Sequence, residues 1–147
     1  MNDWKISDLE KWDSRIIDLA KSYNLDWFPI DYEICDYYEM IGHMSYHGLP
    51  SHYPHWSYGK SFERTHQLYN AGLEGLPYEL IINSNPSIAY LMRENPLYMQ
   101  VLIMAHCVGH SDFFKNNPQF AKTNPDTVLS KFRNARNTKP KWTTRCS

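Results

Sequence analysis

Residues Leu97–Phe114 read LYMQVLIMAHCVGHSDFF, and this stretch decides the fold. It is apolar on nearly every side until His106, has no interior proline or β-branched run, and follows Pro96. That pattern predicts a helix that should be buried. Its second half carries Ala105-His106-Cys107-Val108-Gly109-His110. Two histidines four apart on a helix share one face and come close enough to hold one cation. The same spacing occurs in H-E-x-x-H, where two histidines bind zinc and the glutamate is the general base. Here Cys107 stands in the glutamate position. A thiol cannot hold an attacking water and pass its proton on as that carboxylate does. It also points about 100° away from residue 106. Metal binding could survive the change; ordinary peptidase chemistry would not.

A usable site needs a third ligand. Glu79 opens a strand candidate, Tyr78–Asn83 (YELIIN), whose β-branched and aromatic residues suit a short strand. It is the third metal candidate beside His106 and His110. Glu33 and His47 offer further donors. Asp112 could act as a ligand or orient an imidazole, and Glu79 and Asp112 are the two acids available as a general base. For each acid alone, an ordinary salt bridge or hydrogen bond is the simpler expectation. The expected cofactor is a divalent metal, with zinc the first candidate.

Upstream, Leu9, Trp12, Ile16, Leu19 and Tyr23 recur at helical spacing after Ser7-x-x-Glu10, a capping-box pattern, with Asn24 as the stop. A second helix is expected from about Asp31 to His47, with Glu33, Met40 and His47 on one stripe. His43, four residues after Glu39, reads as an ordinary surface pair. Residues 49–59 form an aromatic loop holding His52, His55 and Trp56, and a shorter helix should cover 61–71. Glu63 and His66 make one Glu-x-x-His step, whereas a di-iron bundle needs two and further glutamates. Asn85-Pro86 suits the start of a helix through Arg93. Val128, Leu129 and Phe132 permit one more. The expected class is α+β, a helix-dominated single domain with a small sheet.

Composition narrows the function. The chain has 147 residues and a formal net charge of −1, which fits one domain. The acids all lie in 1–126, and 127–147 carries six basic residues and no acid. That division suggests a domain over 1–126 and a basic, solvated tail over 127–147. A basic tail can contact nucleic acid or an acidic partner, but this one has no aromatic interleaving beyond Phe132 and Trp142, so no nucleic acid is expected. No apolar run approaches a membrane span, and the N-terminus lacks a signal-peptide core, so a cytoplasmic protein is expected. Three widely spaced cysteines make no disulfide framework. Phosphate-loop, dinucleotide and serine-elbow motifs are absent.

The strings SYHGLPSHYPHWSYGKSFERT (45–65), GLPYELIINSNPSIAYLM (75–92) and MAHCVGHSDFFKNN (104–117) resemble the SpoVR family, named for stage V sporulation protein R. The resemblance runs from about Trp4 to Asn124. It implies a bacterial cytoplasmic protein, linked in spore-formers to the peptidoglycan cortex and elsewhere to stress physiology, with protein partners in envelope assembly. It supplies a context and no reaction. Family members are longer, and beyond Asn137 the likeness stops. The matching strings single out His47, His55, Trp56, Glu63, Glu79, Asn83, Asn85, His106, His110 and Asp112. The zincin-like reading of the histidine pair comes from spacing and not from the family.

Overall fold

The computed structural model describes residues 4–45, 56–70 and 79–137. The elements run α1 (Ile6–Ser22), β1 (Ile30–Cys35), α2 (Tyr37–Met44), α3 (Ser57–Asn70), β2 (Glu79–Ile82), β3 (Ser87–Met92), α4 (Leu97–Asn116), a 3-10 turn (Pro118–Thr123) and α5 (Pro125–Asn137). The strands form a mixed sheet in the order β1-β3-β2, with β1 parallel and β2 antiparallel to the central β3. The class is α+β with helices dominant.

Two expected helices are corrected. The helix from Asp31 to His47 is instead strand β1 followed by α2. Ile30, Tyr32 and Ile34 alternate with exposed Asp31 and Glu33, which is the period of a half-buried strand. The helix starts at Asp36, whose carboxylate accepts the Glu39 N–H at 2.9 Å while Glu39 accepts the Asp36 N–H at 2.8 Å. The stripe of Glu33, Met40 and His47 therefore does not exist: Glu33 is on an exposed strand position, Met40 is in the core, and His47 lies outside the described residues. The helix expected after Pro86 is strand β3. Pairing on both sides overrides the local start signal, and Pro86, joined to Asn85 by a cis peptide, belongs to the β2–β3 turn.

The first helix begins one residue before Ser7, and the carboxylate that closes its start is Asp8, which accepts the Lys5 N–H at 2.8 Å. Glu10 has no part in it. Asn24 ends the helix region as expected, with φ of 58° in the left-handed region that asparagine tolerates. The tail expected to be solvated is helical through Asn137, with Val128, Leu129 and Phe132 half-buried.

The sheet is packed on both faces. On one, Ala89 and Leu91 of β3 meet Leu9 of α1 and Ile103, Met104 and Cys107 of α4, with Ile30, Tyr32, Ile34 and Ile81 around them. On the other, Cys35, Ile82 and Tyr90 meet Met40 of α2. α4 is pinned along its length. Gln100 Nε2 donates to the Met92 carbonyl at 2.9 Å, Ser111 Oγ donates to the Phe28 carbonyl at 3.0 Å, and Asp112 Oδ1 accepts the Asp26 N–H at 2.8 Å. α4 is buried on one side only, contrary to expectation: Tyr98, Leu102 and Phe113 face solvent. No helix among the described residues is long and apolar enough to cross a membrane.

Candidate metal centre

Side-chain alternation along β2 decides where Glu79 points. Glu79 stands opposite Leu91, and Ile81 opposite Ala89, across the antiparallel pair. Residues paired in this way share a face, and Leu91 and Ala89 face α4. Glu79 therefore projects toward α4 at the sheet edge. The helical repeat brings His106 and His110 to the same place. Cys107, one residue on, turns into the core between the sheet and the helix and is fully buried.

The result is a group of three donors, Glu79, His106 and His110, whose ligand atoms all lie within 4.8 Å of one another. His106 Nε2 is 2.8 Å from His110 Nε2 and 3.6 Å from Glu79 Oε1. Without an ion, one imidazole N–H donates to the lone pair of the other. An ion held tetrahedrally at about 2.0–2.1 Å from each nitrogen would set the nitrogens about 3.3 Å apart. The observed separations bracket that value, so small side-chain rotations admit an ion. The site is half open: the His106 side chain is 56% exposed and that of Glu79 24%. Partial burial and the neighbouring imidazole both hold His110 below the ordinary histidine value, with Glu79 opposing them. A neutral imidazole is the form that binds metal.

Cys107 does not join the site. Burial, and secondarily the Glu79 charge, push its thiol up to about 12. Its place in the core, on the side of α4 turned away from the two imidazoles, keeps the sulfur out of the donor set. Cys35 behaves alike, pushed up to about 11 by burial and then by Glu39, Asp36 and Glu94. Both are free thiols.

The other sequence candidates sit elsewhere. Asp112 lies on α4, but its Oδ1 also accepts from Asn116 Nδ2 at 3.1 Å, so it serves the tie to the Asp26 backbone. Asn85 Nδ2 donates to Asp126 Oδ1 at 2.6 Å and Asn83 Nδ2 to Thr123 Oγ1 at 3.2 Å, which fastens the β2–β3 turn to the start of α5. Glu63 is exposed on α3 and accepts from Gln67 Nε2 at 2.7 Å. Trp56 is exposed, with Lys60 Nζ 4.7 Å above its ring. His47 and His55 lie outside the described residues. His43 is half-buried: its ring stacks on Tyr90, centroids 3.8 Å apart, within the field of the Glu33 and Glu39 carboxylates.

Comparison with known proteins supplies the family. The chain is 49% identical over 119 residues to the uncharacterized protein YcgB of Escherichia coli (strain K12), a match covering 80% of this chain and 23% of that relative. The chain thus spans about a quarter of the length of the curated relative it matches. No solved structure matches it. The sequence pattern of SpoVR like protein matches residues 3–146, basic tail included, and the chain belongs to that family.

Proposed function

We propose that the chain binds one divalent transition metal through His106, His110 and Glu79, and serves as a regulatory or scaffolding part of a SpoVR-like protein in cortex or envelope assembly. The observation that carries the metal reading is the meeting of three donors from β2 and α4 within 4.8 Å. Two neutral imidazole nitrogens and a carboxylate are a donor set that zinc and ferrous iron both accept. Three protein ligands leave a coordination position open to solvent, and a metal bound there would act as a Lewis acid. α4 is then a zincin-like helix with its base position turned inward.

The regulatory reading rests on Cys107. The residue that would activate water points into the core, away from the imidazole pair. Of the two acids that could replace it in a metal-dependent hydrolase, Asp112 is engaged by backbone and Asn116 donors, and Glu79 belongs to the donor set. Both facts count against turnover. The cortex and envelope context comes from the family alone.

Elemental mass spectrometry of the purified protein beside the His106→Ala/His110→Ala double variant tests the reading. The expected result is near one zinc or iron per chain in the wild type and none in the variant. Metal absent from both would overturn it.

A further inference from the structure

α4 is apolar on nearly every side until His106, and a helix segment of that kind is normally enclosed on all sides. Here its inner side packs on the sheet, while Tyr98, Leu102 and Phe113 are 72%, 65% and 54% exposed. With Ala105 and Gly109 between them, these residues follow one another at spacings of three and four, so they form a single stripe down the helix. α1 widens the stripe into a patch, because Leu19 beside it is 59% exposed. Between the two helices runs an open groove of about 390 Å³, walled by Trp12, Ile16 and Leu19 on one side and Tyr98, Val101 and Leu102 on the other. Its lining carries one charge, Arg15, whose guanidinium lies 4.9 Å over the Trp12 ring. Contiguous apolar surface of this sort marks an interaction site, and a groove between two helices has the shape to seat a third.

Two facts say what covers it. The matched segment makes up 23% of the E. coli relative, so most of a SpoVR-like polypeptide lies outside the region described here. The one charge in the groove's lining is the Arg15 cation, which an acidic side chain on the occupant would complement. A second copy packed through the same patch would present the same surface and the same cation. We propose that the α1–α4 groove is the docking surface for an amphipathic helix from the remainder of a SpoVR-like polypeptide. That helix carries aliphatic or aromatic side chains into the groove and an acidic side chain to Arg15. The surface needs no metal and stands whether or not His106 and His110 hold one.

Hydroxyl-radical footprinting of this chain and of the full-length E. coli relative, read at aligned positions and paired with sedimentation of both proteins, tests the proposal. The isolated chain should sediment as a monomer with Tyr98 and Leu102 oxidised rapidly relative to Ile103. In the full-length relative the positions aligned with Tyr98 and Leu102 should be several-fold slower. Equal oxidation in the two proteins would overturn the proposal. Self-association of the isolated chain that protects Leu102 and is abolished by Leu102→Glu would overturn it in favour of a second copy. Because Leu102 is exposed, that variant should keep its circular dichroism spectrum.

Discussion

The two sides of α4 are built from similar residues and do opposite work. The inner side, Gln100, Ile103, Met104, Cys107, Val108 and Ser111, is buried against the sheet. The outer side carries Tyr98, Leu102 and Phe113 in solvent, and His106 and His110 lie along its flank facing Glu79. Mean hydropathy hardly separates them, so composition alone cannot say which side a residue serves. The sheet decides it, because Ala89 and Leu91 fix the inner direction. A cysteine one residue from a histidine therefore belongs to the core while the histidine belongs to the surface. A motif read along the sequence has to be read around the helix as well.

The largest expected effect comes from forcing the motif back to its catalytic spelling. Cys107→Glu places a carboxylate where the side chain is fully buried between α4 and the sheet. It should cost about 3–5 kcal/mol in urea unfolding, or abolish folding. Wild-type stability in that variant would break the division between the two sides. Met104→Ala, on the same inner side, should cost about 2–5 kcal/mol by the same measurement, for the lost burial and the cavity left behind. On the flank, Glu79→Gln should leave unfolding nearly unchanged and weaken zinc affinity by at least about tenfold in a competition titration with a chromogenic chelator.

Across the sheet, His43 gives a smaller, pH-dependent effect. Burial against Tyr90 lowers its folded value, opposed by the charges of Glu33 and Glu39. A histidine depressed on folding contributes stability above its unfolded value of about 6.5, and that contribution is lost as pH falls through the folded value. Thermal melts should therefore drop between pH 7.5 and 5.5 in the wild type, and His43→Gln should flatten that drop. The smallest effect is at the outer stripe: Leu102→Ser should shift stability by no more than about 0.5 kcal/mol. A larger loss would mean that the stripe already packs within this chain.

Much of the site was legible before the structure. Helical spacing pairs His106 with His110, and the strand pattern of YELIIN puts Glu79 at a strand start. What spacing could not show is the register that sets Glu79 opposite Leu91 and aims it at α4, because register is a long-range property. The same reason explains the two misread helices. IDYEIC and SIAYLM are each six residues, and strand and helix are hard to tell apart at that length without knowing the partner strand. Alternation of Ile30, Tyr32 and Ile34 with Asp31 and Glu33 was nonetheless a usable signal. The outer patch was not legible: the apolar pattern up to His106 predicts a buried helix, and only the position of the sheet shows that α4 is covered on one side.

The most direct test is calorimetric titration of zinc at pH 7.5 into the wild type, Cys107→Ser and His106→Ala/His110→Ala. The account predicts one site per chain, unchanged in Cys107→Ser and gone in the double variant. No binding in the wild type, or binding that disappears with Cys107 and survives loss of both histidines, would contradict it.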